Sequence, residues 1–204
     1  MSDDTKRHHF RVAYAGKAPW DLGHPRRPFV DHADQITGSV LDTGCGTGDN
    51  ALFFAQRGQS VLGIDFVVEP IEVARRKAEE RGVQAEFLRM DATKLKDLER
   101  TFDSVIDCGL FHVLSDEDRT AYVEGLAHVT KNGGRVFLMC FSDEQPGDTG
   151  PRRISQRELR EAFAGGWTIE SIEATRFEPN PDAERRNFGD LGPKAWFAIL
   201  RRDK

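Results

Sequence analysis

The chain has 204 residues, enough for one domain with a proper core. Hydrophobic residues make up 38% and charged residues 31%, a globular composition, and a net charge of −5 provides no overall basic field to draw in nucleic acid. The polar start MSDDTKRHHF lacks the apolar stretch of a signal peptide, and no apolar run approaches the roughly 20 residues that span a bilayer.

In chain order, SVLDT (39–43) reads as a short buried strand, and GDNALFFAQRG (48–58) as a helix closed by Gly58. SVLGID (60–65) is a second strand. The next helix, 67–82, places Val67, Ile71, Ala74 and Ala78 on one face at steps of three and four, with Pro70 in its first turn. QAEFLRM (84–90) and FDSVIDC (102–108) are the third and fourth strands. Ser115 and Asp118 make a capping box for a helix at 116–130, with Tyr122, Leu126 and Val129 inward. GRVFLMCF (134–141) is a fifth strand whose continuous apolar run suits a sheet covered on both faces. Ser155 and Glu158 form a second capping box, with Ile154 and Leu159 as its hydrophobic staple. WTIESIEATRF (167–177) and AWFAILR (195–201) are the last strands. The 178–194 connection shows no helix, so these two are expected to be antiparallel. The fold class is therefore α/β, a doubly wound, mostly parallel seven-stranded sheet with an antiparallel last strand, and no interior linker divides the chain.

Cys45, Cys108 and Cys140 are far apart without metal-ligand spacing, which points to reduced thiols in a cytoplasmic protein and to no metal. The arginine pairs at 26–27, 152–153, 185–186 and 201–202 read as solvated surface.

The chemistry is concentrated in VLDTGCGTGDN. A strand ending in Asp42 runs into Gly44, Gly46 and Gly48 and then a helix, a turn that a ligand can approach closely. The spacing is G-x-G-x-G, not the dinucleotide G-x-G-x-x-G. A carboxylate at Asp42 would repel a pyrophosphate and suits a ligand carrying an ammonium group, such as an adenosyl donor with a methionine tail. Asp65 ends the second strand, where a carboxylate can accept both ribose hydroxyls. Asp91 ends the third, where it can accept an adenine amino group while backbone at Ala92 frames the ring. Each acid alone reads as a loop acid or a cap; three in order beside the glycine turn point to one crevice.

LDTGCGTGDN, Asp65 in LGIDF, Asp91 in RMDAT and the strand end VIDCGLFHVL together resemble the class I S-adenosylmethionine-dependent methyltransferases, over about residues 37–202. GKAPWDLGHPRRPFVD (16–31) and GPRRISQRELREAF (150–163) are similar to the thiol, thiopurine and halide methyltransferase-like and heterocyclic toxin methyltransferase subgroup. The resemblance implies S-adenosyl-L-methionine as cofactor, S-adenosyl-L-homocysteine as product, and one domain over 1–204. In it, 1–36 covers cofactor and substrate. It implies cofactor contacts from Trp20, Asp42, Gly44, Cys45, Gly46, Gly48, Asn50, Asp65, Phe66, Asp91, Ala92, Asp107 and Cys108. In that reading Trp20 packs on the methionine end of the cofactor; a core aromatic anchoring the N-terminal segment is the alternative. Backbone at Asp107 and Cys108 is expected to meet the ammonium.

Methyl transfer from a sulfonium is an in-line displacement in which alignment and exclusion of water are the protein's main tasks. A soft anionic nucleophile needs little else; a neutral one needs a base. His112 is the candidate base, with a packing histidine as the plain alternative. Phe10, Tyr14, Phe111, Phe141 and Phe188 are candidates to line a flat acceptor pocket, and SDEQPGDTGP (142–151) reads as a mobile lid. The expected partner is a small-molecule thiol, phenol, hydroxyquinolone or N-heterocycle, with no nucleic acid and no membrane, and the protein a monomer or homodimer. Two alternatives stay open: a non-catalytic S-adenosylmethionine-binding regulatory protein, and a nicotinamide oxidoreductase, which would want a later third glycine and no acid at Asp42.

Overall fold

The computed structural model describes residues 3–16, 18–179, 188 and 190–204. The strands are β1 (Val40–Thr43), β2 (Val61–Asp65), β3 (Glu86–Arg89), β4 (Phe102–Cys108), β5 (Thr130–Phe141), β6 (Trp167–Arg176) and β7 (Lys194–Arg202). The helices are α1 (Asp3–Tyr14), α2 (Arg27–Asp31), α3 (Asp49–Gln56), α4 (Val68–Glu80), α5 (Asp116–Val129) and α6 (Gln156–Ala162), with 3₁₀ turns at Ala92–Asp97 and Phe111–Val113. The strands form one sheet in the order β3-β2-β1-β4-β5-β7-β6. Strands β1 to β5 pair in parallel, and β7 runs antiparallel to both β5 and β6.

Alternation along the strands sends neighbouring side chains to opposite faces. Leu41, Val105, Val136 and Leu138 join one core with Tyr122 and Leu126 of α5 and Leu159 of α6. Val40, Ile106, Phe137 and Met139 join the other with Phe29 of α2, Leu52 of α3 and Ile71 and Ala74 of α4. Helices on both faces explain why β5 reads as an unbroken apolar run. The face at Val67, Ile71, Ala74 and Ala78 is buried, as its spacing implies.

The helix starts follow their caps. Ser155 and Glu158 bond reciprocally, and Ile154 and Leu159 are both fully buried beneath them. At α5 the Ser115 hydroxyl accepts the Asp118 N–H. Helices α1 and α2 escaped the sequence reading: α1 is strongly polar, and α2 is a single turn begun by Pro28. Strand β5 starts at Thr130, four residues before the apolar run, across an irregularity opposite Phe102 and Ser104. The reading of 178–194 as free of helix falls mostly outside the described residues, as do Arg185 and Arg186.

Candidate functional site

Register brings the strand ends together. Thr43 lies beside Ile64 of β2 and Asp107 of β4, so the loops after β1, β2 and β4 share one edge. Strand order reverses between β1 and β4, and ligands of open α/β sheets bind at such a point. The turn after β1 holds Gly44, Gly46 and Gly48 at φ of 68°, 53° and 83°, values that disfavour any side chain. It is tied to β2 by Cys45 N–H donating to Ile64 O at 2.8 Å and by Gly46 N–H donating to Asp65 Oδ2 at 3.0 Å. Asp65 Oδ1 accepts the Val67 N–H at 2.9 Å. Burial pushes the Asp65 carboxyl up to about 6 against these amide donors. Asp91 caps the following 3₁₀ turn, its Oδ1 accepting from both the N–H and the hydroxyl of Thr93.

One cleft collects these groups. Gly44, Asp65, Phe66, Asp91, Ala92 and Leu110 line it, and Phe10 of α1 stands edge-on to Phe66 with ring centres 5.7 Å apart. Asp65 and Asp91 with apolar walls in one cleft suit a ligand with vicinal hydroxyls and a flat amino-bearing ring.

The other expected contacts are placed differently. Asp42 is 1% exposed and lies beneath the turn, not on the cleft wall. Burial holds its carboxyl well above the usual carboxylate range; Ala51 N–H bonds it, and Oδ2 has no partner. The sequence reading treated Asp42 as a charged carboxylate facing the crevice. The structure makes it a buried acceptor with a vacant oxygen, which fits a ligand that brings a donor, as an ammonium does. Gly48 does not face a ligand: a Cβ there would stand 2.8 Å from Ala74 Cβ and 2.9 Å from Phe87 Cε1. Its smallness lets α3 start against α4. Cys45 is held protonated by burial, and the Cys108 thiol is pushed up to about 12 for the same reason. Neither suits a nucleophile.

Asp107 is fully buried and works through its side chain. It accepts from Leu110 N–H at 2.8 Å, from Phe111 N–H at 3.1 Å and from the Tyr122 hydroxyl at 2.9 Å. The Tyr122 hydroxyl also bonds Thr43 Oγ1 at 2.7 Å, which joins the ends of β1 and β4 to α5. Burial pushes Asp107 up to about 7 in spite of these donors.

The segment before β1 docks on the glycine turn. Asp21 accepts the Thr47 hydroxyl at 3.0 Å, and Asn50 Oδ1 accepts the Arg26 N–H at 2.9 Å. Trp20 donates its indole N–H to the Tyr14 hydroxyl at 3.0 Å, with Phe10 and Tyr14 edge-on to its ring. That Tyr14 hydroxyl stands 2.7 Å from where a Cβ on Gly46 would be. Burial and then the Asp65 charge raise the phenol, so it stays protonated. Arg26 is not solvated surface: it is buried, with its guanidinium on Trp20 O and Glu178 O. Arg153 likewise binds the carbonyls of Gln145, Gly147, Thr149 and Pro151, so the loop read as a mobile lid is tied along its length.

His112 is the largest departure. Its Nδ1 accepts the Phe141 N–H at 3.1 Å, and burial holds the ring down to about 3. With Nδ1 occupied as an acceptor, the proton resides on Nε2. The expected base is therefore corrected to a neutral ring that presents a donor. Phe141 and Phe177 stand edge-on to it at 5.1 and 5.9 Å between ring centres, and Phe188 reaches Phe141 at 5.7 Å. Phe111 does not join them; it is fully buried, stacked on Phe163 beneath the Arg119 guanidinium. Phe177 and Arg26 had no local sequence signal for this neighbourhood. Among the described residues no cluster could hold a metal ion, and no helix is long and apolar enough to cross a membrane.

Comparison with known proteins agrees with this geometry. A family described as a methyltransferase domain matches residues 40–134. A 2-heptyl-1-hydroxyquinolin-4(1H)-one methyltransferase of Mycobacteroides abscessus is 31% identical over 173 residues, 82% of this chain and 76% of that protein. A solved structure described for the conversion of a disulfide bond into a thioacetal group during echinomycin biosynthesis is 34% identical. It superposes with a TM-score of 0.83 over 97% of this chain and 93% of its own. The 1,6-didemethyltoxoflavin-N1-methyltransferase of Burkholderia thailandensis, solved with S-adenosylhomocysteine, shares the fold. It is 22% identical with a TM-score of 0.69, covering 98% of this chain and 85% of its own. The chain belongs to the class I S-adenosylmethionine-dependent methyltransferases.

Proposed function

We propose that this methyltransferase methylates the S, O or N nucleophile of a small molecule, with residues 1–36 covering the cofactor and acceptor in a single domain. The observation that carries this reading is the meeting of Asp65, Phe66, Asp91 and Ala92 in one cleft beside Gly44 at the switch point of the sheet. S-adenosylmethionine, when bound, supplies an electrophilic methyl group on a sulfonium.

Asp65, already oriented by Gly46 N–H and Val67 N–H, keeps lone pairs for the two ribose hydroxyls. Phe66 and Ala92 enclose the adenine, and Asp91 accepts its amino group. Asp42 Oδ2 accepts a donor from the methionine end, where its missing partner would be supplied. Trp20 and Tyr14 close over the glycine turn and keep water from the reacting centre. Asp107 holds the Leu110 and Phe111 amides, and so fixes the turn that separates the cofactor cleft from the aromatic group around His112.

Calorimetric titration with S-adenosylhomocysteine tests the cofactor half. Asp65→Ala is expected to weaken binding about a hundredfold, from two lost charge-assisted hydrogen bonds. In the unaltered protein binding should tighten as pH rises through about 6, because hydroxyl donors favour the ionised carboxylate. Equal affinity for the Ala variant removes Asp65 from the ribose. The acceptor half is tested by mass-spectrometric search for methylated product among thiols, phenols, hydroxyquinolones and N-heterocycles. Tight cofactor binding with no product from any of them would favour a regulatory protein on this fold.

A further inference from the structure

We propose that helix α1 is an autoinhibitory gate: Phe10 and Tyr14 occupy the cofactor's own place, and S-adenosylmethionine enters when the helix swings away about Ala15 and Gly16. The gate presupposes the cofactor cleft assigned above and adds how that cleft is kept shut.

The cleft that gathers Gly44, Asp65, Phe66, Asp91 and Ala92 has a volume of about 60 Å³, whereas sites that take small molecules hold roughly 300–1,000 Å³. An adenosyl donor does not fit it with α1 in place. Two side chains of α1, four residues apart and therefore on one face of the helix, stand in its way. Phe10 lines the cleft and stands edge-on to Phe66, at the end assigned to adenine. Tyr14 covers the glycine turn. Gly46, at φ of 53°, leaves that turn bare, and the Tyr14 hydroxyl takes the space, 2.7 Å from where a Cβ would be. Trp20 holds both side chains there. Its indole N–H donates to the Tyr14 hydroxyl at 3.0 Å, and its ring stands 5.6 Å from Phe10 and 5.8 Å from Tyr14, centre to centre.

The attachments of α1 are those of a part that moves. The helix is strongly polar, and its Val12 is 60% exposed. Among its described side chains the tie to α4 is Arg11 Nε to Glu69 Oε1 at 3.5 Å, an ion pair open to solvent at both ends and worth less than about 1 kcal/mol. The segment beyond is fixed. Ala18 is 1% exposed, Asp21 accepts the Thr47 hydroxyl, and Asn50 accepts the Arg26 N–H. Ala15 and Gly16 lie between the two, both exposed, and a Cβ on Gly16 would meet nothing within 4 Å. Small residues at the end of an element can absorb the φ and ψ change of a hinge. The latch is the bond from Trp20 to Tyr14, which spans that hinge. Opening breaks this bond, the ion pair and the ring contacts, so the cofactor's apparent dissociation constant rises by the inverse of the open fraction. Once the cofactor is seated, α1 settles over it, and Trp20 and Tyr14 cover ligand in place of bare turn. Such a gate slows passage in both directions, whereas a wall side chain that touches the ligand governs how long it stays.

The test is stopped-flow tryptophan fluorescence of the full chain mixed with S-adenosylhomocysteine. Tyr14→Ala, which removes the latch and the blocking ring, should raise the association and dissociation rate constants together, each about tenfold. Arg11→Ala, outside the cleft, should raise both about two- to threefold and leave the dissociation constant nearly unchanged. Tyr14→Phe, which keeps the ring and removes the latch, should fall between the two. Faster dissociation with unchanged or slower association in Tyr14→Ala would make Tyr14 a wall of the bound site and overturn the gate. So would unaltered rates in all three variants. Either result leaves S-adenosylhomocysteine binding, and with it the cofactor reading, intact. Failure of the unaltered chain and of a folded Tyr14→Ala alike to bind S-adenosylhomocysteine would instead bring down the cofactor reading, and the gate with it.

Discussion

The turn after β1 and the turn after β4 meet at one edge of the sheet, and they are held by opposite means. The first is built mainly from backbone: three glycines at positive φ fold it, and its Cys45 and Gly46 amides donate to the Ile64 carbonyl and the Asp65 carboxylate of β2. The second is built from side chains. Asp107 gathers the Leu110 and Phe111 amides, and Tyr122 from α5 closes the group. A backbone turn leaves its surface bare, which suits close approach by a ligand. A side-chain turn buries titratable groups, so its stability depends on their protonation. The turn after β1 is thus framed mainly by backbone, with the Asp65 carboxyl, pushed up to about 6 by burial, holding its Gly46 amide. The turn after β4 is framed by the buried side chain of Asp107.

The comparison breaks most sharply at Gly48. Gly48→Ala forces a side chain into a left-handed backbone and against Ala74 Cβ, which cannot swing away, so urea unfolding should show a loss of about 3 kcal/mol. Asp107→Asn should cost less, about 2 kcal/mol, by placing an amide donor among three donors.

The same variant also sharpens the contrast through pH. The Asp107 carboxyl is raised from 3.8 to about 7 on folding, so between these limits the folded state holds more protons than the unfolded one. Its contribution is fully present below about 4 and is lost as pH rises through about 7. The urea midpoint of the unaltered protein should therefore be higher at about pH 5.5 than at about pH 8, and Asp107→Asn should reduce the difference. A midpoint that rises over that interval would contradict a carboxyl raised by burial in spite of its three donors. The smallest effect is expected where the N-terminal segment touches the glycine turn. Asp21→Ala removes, with other contacts, the half-buried bond from Thr47 and the exposed one from the Gly23 N–H, and should cost about 1 kcal/mol while weakening S-adenosylhomocysteine two- to threefold by calorimetry.

The sequence by itself determined the sheet, the starts of α3 to α6 and the strand-end residues that meet in one cleft. Strands covered on both faces, Ser155 with Glu158, and glycines spaced behind Asp42 are local patterns, and local patterns carry backbone geometry. Asp65, Phe66, Asp91 and Ala92 were legible because each sits just past a strand end, and parallel strands deliver their ends to one edge. Tertiary structure alone decided the rest. The proton on His112 is set by the amide of Phe141, 29 residues away in β5. Arg26 leaves the surface because carbonyls of Trp20 and Glu178 converge on it. Asp42 and Asp107 lose their ordinary ionisation because layers of helix shut water out on both faces. A residue's type fixes what it can donate or accept; which of those capacities remains free depends on neighbours that only folding brings within reach.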